Sequence, residues 1–234
     1  MASIAKELGH FEYKGIQFGI ECEVEGNRLP EVIPGGFWLI EHDGSLRGGL
    51  EYIFAKPMEK EKSIKALNLL FKTFVQNKTV LDYSFRTSTH VHVNVGDLEL
   101  KKVMNIVFLY TLVEDLFVQF CAEQRQGNRF CLRFKEANHL YGVVEKILRD
   151  YKNYGTVEAI GGIPQDQTKY GALNLYTLRK YGTLEFRSLE GTNDIDKISK
   201  WLNAIENIVN VGQRYESIAD LHDKIGRASC RERV

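Results

Sequence analysis

Apolar and polar residues alternate with a period of two in five segments of the chain, and this alternation predicts five β-strands. In the first strand, Phe18–Glu25, the apolar residues Ile20, Cys22 and Val24 alternate with three glutamates. The turn sequence at residues 43–45, Asp-Gly-Ser, joins the second and third strands as a predicted hairpin. The other predicted strands are Phe37–His42, Leu50–Ala55, His90–Val95 and Thr183–Ser188.

Apolar residues at helical spacing predict four helices, at Glu59–Val75, Leu98–Gln124, Glu136–Asp150 and Ile195–Tyr215. Asp97 and Asp194 directly precede two of them and are predicted N-caps. The most apolar stretch, Val103–Ala122, contains Asn105, Glu114, Asp115 and Gln119, so we interpret it as a buried helix rather than a membrane span. Between the third and fourth helices, Tyr154–Lys169 has three glycines and a proline, which predict a loop and a candidate lid.

The predicted strands have one apolar and one polar face, which is typical of an antiparallel sheet. Strands of a buried parallel sheet would instead be apolar on both faces. We therefore predict an α+β fold, in which an antiparallel β-sheet has helices packed on one face. Because no repeat or linker interrupts residues 1–224, this range is predicted to form a single domain.

The last ten residues, Ile225–Val234, have no apolar periodicity. Their order matches one reading frame of a common short-read sequencing adapter, so we interpret the segment as a non-native, adapter-derived tail. The alternative is a short, basic, disordered tail. The codons of the parent nucleotide sequence would distinguish the two interpretations.

The chain has 234 residues with 31 basic and 31 acidic side chains, so no overall field attracts nucleic acid or an anionic membrane. Its hydrophobic share of 44% supports a buried core and argues against a disordered chain. Four cysteines without a CxxC pair favour a reducing compartment. Lys6 and Glu7 interrupt the N-terminal stretch too early for a signal peptide. We therefore expect a cytoplasmic protein whose partners are neither nucleic acid nor a membrane.

The polar faces of several predicted strands carry candidate chemistry, because side chains two residues apart point the same way. Glu21, Glu23 and Glu25 would repel one another unless a cation lies between them, although a solvated strand is the alternative. His90 and His92 can share a metal ion, or be two ordinary hydrogen-bonded histidines.

A third strand pairs Glu185 with Arg187, either as a metal-ligating carboxylate beside a phosphate-binding guanidinium or as an ordinary salt bridge. Glu51 lies on a fourth strand, and Arg86 precedes the strand that carries the histidines. Such oxygen-rich donors suit Mg²⁺ or Mn²⁺ better than Zn²⁺. The chain lacks the GxxxxGK[ST] and GxGxxG sequences, so any nucleotide must be held through metal ions and arginines.

In this order, the motifs resemble the amidoligase family, which comprises carboxylate–amine ligases related to glutamine synthetase and glutamate–cysteine ligase. The matching segments are Gly19–Glu25, Asp43–Leu46 with Gly49–Glu51, Thr89–Val93, Arg125–Cys131, Tyr170–Leu175, Gly182–Arg187 and Glu190–Thr192. The resemblance implies an ATP-dependent ligase with a glutamine synthetase-like catalytic bowl and bound Mg²⁺ or Mn²⁺ ions.

The resemblance also implies roles for individual residues. Arg187, Glu185 and His92 would be catalytic, with Arg187 facing the phosphates. Lys169 would contact the nucleotide, Arg125 and Arg129 would bind a phosphate or a substrate carboxylate, and Asn174 would be a hydrogen-bonding residue of the nucleotide site. Independently of the resemblance, the position of Arg86 beside the histidine strand makes it a candidate contact of the nucleotide phosphates. The implied metal ligands are Glu21, Glu23, Glu51, His90 and Glu185.

The implied reaction activates a carboxylate with ATP as an acyl phosphate, from which an amine then displaces phosphate. The expected substrates are small-molecule or peptide carboxylates and amines, and the enzyme can be a homo-oligomer. Two alternatives stay open: a non-catalytic metal- or nucleotide-binding protein of the same fold, and a cupin-type metal oxygenase suggested by the HxH sequence. The long predicted helices disagree with the β-barrel of a cupin.

Overall fold

The computed structural model of the protein describes residues 2–231, with side chains through residue 224. Its described strands form one open antiparallel sheet, in the order β2-β3-β1-β5-β7-β6, with β4 paired to the end of β1. The strands are β1 (Phe18–Asn27), β2 (Trp38–Glu41), β3 (Leu50–Phe54), β4 (Val80–Asp82), β5 (Thr89–Asn94), β6 (Leu173–Asn174) and β7 (Thr183–Phe186).

Helices follow or separate these strands and include four long ones that match the predicted positions. The long helices are α2 (Lys60–Gln76), α3 (Leu100–Phe120), α4 (Asn138–Tyr154) and α8 (Ile195–Gly212). The others are α1 (Ile4–Leu8), α5 (Thr156–Gly161), α6 (Gln165–Thr168), α7 (Thr177–Tyr181) and α9 (Ile218–Arg231).

The apolar face of the sheet is covered by helices, as the α+β prediction requires. Phe186 of β7 lies against Tyr110 and Phe117 of α3, with ring centroids 5.4 and 6.1 Å away. Tyr52 of β3 packs against Phe74 of α2 at 5.2 Å. Helix α8 packs along α3, and the residues between these layers are almost fully buried. The predicted α+β fold with an antiparallel sheet is therefore confirmed.

The register of the strands places the predicted polar side chains together on the other face. Residues directly opposite each other on antiparallel strands share a face. The opposite pairs are Glu21–His90, Glu23–Glu51, His92–Glu185 and Asn174–Glu185. One face of β1, β3, β5, β6 and β7 therefore carries a continuous set of acids, histidines and an amide.

Only one of the two predicted N-caps is confirmed. The carboxylate of Asp194 accepts from the amide of Lys197 in the first turn of α8. Helix α3 begins later than predicted, at Leu100, and Asp97 instead accepts hydrogen bonds from the Gly15 amide and the Asn94 side chain. Asp97 therefore ties the segment before β1 to the end of β5.

The predicted lid at Tyr154–Lys169 is wrong, because this segment forms the short helices α5 and α6. Gly155 has φ 101°, a conformation that favours glycine, and this residue separates α4 from α5. Ile160 and Ile163 are buried in the core, so they anchor the segment to the domain. A segment fixed by such contacts is a wall of the fold rather than a lid.

Helix α3 is long and apolar enough to cross a membrane by length and composition alone. Half of its most apolar window is buried in the fold, where Val103, Ile106 and Tyr110 are fully buried, whereas Leu112 and Leu116 are exposed. Core helices of soluble proteins meet the same criterion. Packing against α8 and the sheet therefore explains the apolar character of the buried face of α3.

The proposed boundary at residue 224 stays a prediction. The backbone of α9 continues into the segment interpreted as adapter-derived and ends at Arg231. Residues 232–234 of that segment lie outside the described residues.

Glu114 of α3 is a buried carboxyl group far along the chain from the predicted site. Its Oε2 accepts from the amide of Phe134 at 2.9 Å, whereas Oε1 is buried with no hydrogen-bond partner among the described residues. Burial raises the pKa of Glu114 to about 7, against a smaller opposite effect of the Phe134 hydrogen bond. The charged form of Glu114 is therefore costly in the folded protein.

We expect this cost to appear as pH-dependent stability. The unfolded chain loses the Glu114 proton near pH 4.5, whereas the folded protein keeps it to about pH 7, so stability falls as pH rises through that interval. The loss amounts to about 3 kcal/mol and persists at higher pH. In urea unfolding, Glu114→Gln should be more stable than the parent protein at pH 8 and equally stable at pH 4. Glu145→Gln on the exposed side of α4 is the control, and an unchanged pH dependence in Glu114→Gln would contradict the assignment.

Candidate active site

Glu21 lies between two histidines of the neighbouring strand. Its Oε2 is 3.3 Å from Nδ1 of His90, and its Oε1 is 3.1 Å from Nε2 of His92. The other nitrogen of His92 is 3.1 Å from the hydroxyl oxygen of Thr183, which fixes the plane of the ring. Both histidines are buried, so β1 and β5 hold three potential metal or proton ligands in a defined geometry.

His90 is the central residue of the polar face. Its Nδ1 faces Glu21 and Glu185, with Oε1 of Glu185 3.6 Å away. Its Nε2 faces the opposite direction, 2.6 Å from the hydroxyl of Ser88 and 3.9 Å from Oε2 of Glu23. The same imidazole therefore belongs to two groups of carboxylates.

Glu185 joins the β5 histidines to the edge of the sheet. One carboxylate oxygen accepts from the side-chain amide of Asn174 at 2.6 Å, and the other accepts from the guanidinium of Arg187. Nη1 of Arg187 also lies 3.4 Å from Nδ1 of His90. The structure thus brings Asn174 and Arg187 into contact with the predicted metal ligands. We call Glu21, Glu23, Glu51, His90, His92 and Glu185 the acid–histidine cluster.

Opposing electrostatic effects act within this cluster. Burial disfavours the charged form of Glu21, but hydrogen bonds to His90 and His92 outweigh it and hold the pKa of Glu21 well below its usual range. Burial likewise disfavours ionised Glu185, and the Arg187 charge overcomes it, so the pKa of Glu185 is lowered. Both carboxylates are therefore ionised near neutral pH.

Glu51 behaves differently because it faces like charges without a basic partner. Burial raises the pKa of Glu51 to about 8, and the charges of Glu21 and Glu23 add to the effect. Glu23 lies opposite Glu51 in the register, and its carboxylate accepts from the Ser88 hydroxyl. Around Glu51 and Glu23, the described residues therefore place more acidic groups than basic groups.

The cluster fits divalent cations. Two groups each contribute one ligand atom per residue, and the ligand atoms of each group lie within 4.8 Å of one another. The groups are Glu21–His90–Glu185 and Glu23–Glu51–His90. Carboxylate oxygens with a single imidazole are donors that Mg²⁺ and Mn²⁺ accept, and a cation would relieve the repulsion around Glu51.

A comparison with protein families identifies the type of protein that carries this cluster. The model of the family described as "putative amidoligase enzyme" matches residues 56–209, which is more than half of the chain. The chain belongs to the amidoligase family. The matched range includes His90, His92 and Glu185. The β1 glutamates of this amidoligase lie outside that range, and the pairing of β1 with β5 places Glu21 opposite His90. No curated protein matches the chain.

Three predicted nucleotide contacts of the amidoligase lie outside the acid–histidine cluster. Arg86 donates to the carbonyl of Ser45 at 2.8 Å and lies over the ring of Phe85. Arg129 and Lys169 each lie over the aromatic ring that follows them in the chain, at 4.9 and 4.8 Å. These described contacts do not test a role in nucleotide binding, which for the three residues stays a prediction.

Arg125 does not occupy the position that the sequence predicted. Its side chain is only 1% exposed, and it donates to the backbone carbonyl oxygens of Arg187 at 2.7 Å, Ser188 at 3.1 Å and Phe85 at 3.4 Å. A guanidinium satisfied by backbone carbonyls in the interior holds chain segments together. The expected contact of Arg125 with phosphate or a substrate carboxylate is therefore corrected to a positioning role behind Arg187.

We expect Arg125→Lys to destabilise the protein, because lysine cannot donate to three carbonyl oxygens in this arrangement. The free energy of unfolding in urea should fall by about 2–3 kcal/mol. Arg129→Lys is the matched control, since Arg129 is exposed, and it should change stability by less than about 0.5 kcal/mol. Equal stability of the two variants would show that the three buried hydrogen bonds are unimportant.

Two contacts at the site were missed from the sequence. Ser88 bridges Glu23 and His90, and its position two residues before His90 on the same strand face was the available signal. Glu25, for which the sequence assigned no role, is buried and accepts from the Arg47 amide at 2.7 Å. Glu25 thus fixes the loop before β3 at one end of the amidoligase site.

Proposed function

We propose that the protein is an ATP-dependent carboxylate–amine ligase that forms an amide bond through an acyl phosphate, with Mg²⁺ or Mn²⁺ ions bound at the acid–histidine cluster. The observation that carries this proposal is the pair of ligand groups that share His90, beside a guanidinium held by Glu185. Family membership supports a ligase-type enzyme. Acidic donor groups beside an arginine are suited to the phosphates of a nucleotide.

The ligands of the ions would come from both donor groups. Glu21, His90 and Glu185 would hold one ion, and Glu23 with Glu51 would hold another on the opposite side of the imidazole. Bound there, divalent ions would neutralise phosphate oxygens. The side chains around the ions would carry out the other catalytic roles, which are charge stabilisation and proton transfer.

Arg187 is proposed to stabilise the negative charge that develops when the γ-phosphoryl group is transferred to the substrate carboxylate. Its Nη1 is oriented by Glu185, and its backbone amide and carbonyl are both hydrogen-bonded, to Ala172 and Arg125 respectively. Such fixed donors need no rearrangement during the reaction, which is the main source of electrostatic catalysis.

The second step requires a neutral amine, and we propose His92 as the group that accepts its proton. Its ring is oriented by Thr183 and Glu21. It also lines an open cavity at the end of the sheet, so a substrate can reach it. Asn174 is proposed to orient Glu185 through its amide rather than to contact the nucleotide directly.

Several broader predictions accompany this activity as proposals. The substrates would be small-molecule or peptide carboxylates and amines, and the enzyme would act in the cytoplasm without nucleic acid or membrane partners. The open antiparallel sheet would be the floor of a glutamine synthetase-like bowl. A homo-oligomer is included in the proposal, since such sites can be shared between subunits.

The experiment that tests this function is acyl-phosphate trapping. The protein is incubated with ATP, Mg²⁺, hydroxylamine and a panel of amino acids, γ-glutamyl compounds and peptidoglycan peptides, and hydroxamate and ADP are measured. We expect both products in equal amounts with at least one acid, and neither after chelation of Mg²⁺. A non-catalytic binding protein would bind ATP without product. ADP release that is independent of the added acid, or that survives chelation, would overturn the proposal.

A further inference from the structure

A cavity of about 540 Å³ opens at the end of the sheet beside the acid–histidine cluster. Glu21 and His92 form part of its floor, where β1 and β5 meet. The segment before β1 forms one wall, and the end of α7 forms another. Whatever binds in this cavity therefore lies within reach of the proposed reaction centre.

The walls of the cavity are mostly apolar and aromatic. Ile53 lies directly opposite Glu21 in the register, and its side chain faces the cavity from β3. Phe11 and Tyr13 face it from the segment before β1, with ring centroids 4.8 Å apart, and Phe11 is 78% exposed. Tyr181 lies edge-on to the ring of His92 at 5.9 Å. Such walls favour a ligand with a ring or a large apolar group.

The charge at the cavity favours an anion over a cation. Lys180 and Lys56 both line it, and Nζ of Lys180 lies 4.7 Å from the Tyr181 ring centroid. Glu21 is the acidic residue among the lining side chains, and His90 and His92 already engage its two oxygens. An incoming ammonium group would meet two lysines, whereas a carboxylate would be attracted to them.

The volume of the cavity favours a ligand larger than a small polar substrate. Cavities of about 300–1,000 Å³ take ligands of the size of a nucleoside or a drug, which bury most of their surface. A free glutamate or a short aliphatic acid would leave the apolar walls hydrated and would gain little from them. The size, the apolar walls and the basic rim of the cavity thus all favour a bulky, partly apolar anion.

We propose that this cavity binds the carboxylate substrate, and that this substrate is an acid with an aromatic or bulky apolar body. The apolar body would lie between Ile53, Tyr13 and Tyr181, and its carboxylate would point toward Lys180 and His92, beside the proposed ligase chemistry. The assignment of the bound acid as a substrate rests on the proposed ligase function. Binding of the acid to the cavity can be measured without any reaction.

The test is calorimetric titration of the full chain, in the presence of Mn²⁺ and without nucleotide, with three matched probes. 3-Phenylpropanoate carries a ring and a carboxylate, propanoate lacks the ring, and 3-phenylpropylamine replaces the carboxylate with an ammonium group. We expect 3-phenylpropanoate to bind at least about tenfold more tightly than either of the others, since burial of a ring outweighs that factor. Equal binding of all three probes would overturn the proposal.

Two variants locate the binding in the cavity. Ile53→Trp fills it, and Lys180→Glu reverses a charge at an exposed position of the cavity wall. Each should weaken 3-phenylpropanoate binding by about threefold or more. Lys72→Glu, the same charge reversal on the exposed side of α2, should leave it unchanged. Unchanged binding in both cavity variants would show that the acid does not occupy this cavity. Displacement of 3-phenylpropanoate by adenosine would show that the binding site belongs to the nucleoside rather than to the acid substrate, which also overturns the proposal.

The two proposals can fail separately. If hydroxamate forms with small polar acids while 3-phenylpropanoate does not bind, the ligase function stands and the substrate class is wrong. If 3-phenylpropanoate binds in the cavity and no acid yields hydroxamate, the binding site stands and the ligase function is wrong.

Discussion

Glu185→Gln is expected to lower the rate of ATP-dependent hydroxamate formation by about 10³-fold. Glu185 is in contact with His90, Asn174 and Arg187, and it belongs to one of the two metal-ligand groups. Glutamine keeps the size of the side chain but removes the negative charge that pairs with the Arg187 guanidinium. It also places an amide nitrogen where an oxygen would bind the ion. The measurement is the rate of hydroxamate release at saturating ATP and Mg²⁺.

Glu61→Gln is the matched control for this variant, because Glu61 is an exposed acid in the first turn of α2. It should react at the rate of the parent protein. Thermal unfolding should show that both variants are folded at the assay temperature. A Glu185→Gln protein that is folded and retains more than about a tenth of the parent rate would remove Glu185 from the reaction centre.

His90→Asn is expected to weaken Mn²⁺ binding at both donor groups, by about 100-fold at the more strongly affected one. The reason is that each group contains His90, which would supply a ligand nitrogen on one side and donate its proton to an oxygen on the other, and both are lost when the imidazole is replaced. Glu51→Gln should instead weaken only the group that contains Glu51 and Glu23. The measurement is a Mn²⁺ titration followed by electron paramagnetic resonance, in which free Mn²⁺ is counted directly.

The control for His90→Asn is His222→Asn, which changes an exposed histidine on α9. Its Mn²⁺ titration should superimpose on that of the parent protein. If His90→Asn and Glu51→Gln both lost the same single ion and left a second one untouched, the shared role of His90 would be wrong.

The long elements of the fold could be predicted because their periodicity persists over many residues. Strand β1 alternates over its central residues, and α2 and α8 keep an apolar stripe through four or more turns. Strands β4 and β6 have three and two residues, which is too few for a period to show. The start of α3 was misplaced because Asp97 has a distant partner, Gly15, which sequence spacing cannot reveal.

The sequence could predict which residues form the candidate site but not which of them contact one another. Side chains two residues apart on a strand share a face, so Glu21, His90 and Glu185 could be selected from the sequence. The opposite pairing of Glu21 with His90 depends on strand register, which the sequence does not specify. The direction of the Arg125 side chain could not be predicted either, because Arg125 lies in a 3₁₀ turn that is too short to show a periodic pattern of apolar and polar residues.

The position of His90 between the two donor groups has a consequence for how ions would occupy them. A neutral imidazole has one nitrogen with a free lone pair and one that carries a proton. Nδ1 faces Glu21 and Glu185, and Nε2 faces Ser88 and Glu23, so a single tautomer can supply a ligand to one side only. On the other side the ring donates its proton to an oxygen. Filling one position would therefore select the tautomer that disfavours the other, so we expect two ions to bind there with negative cooperativity.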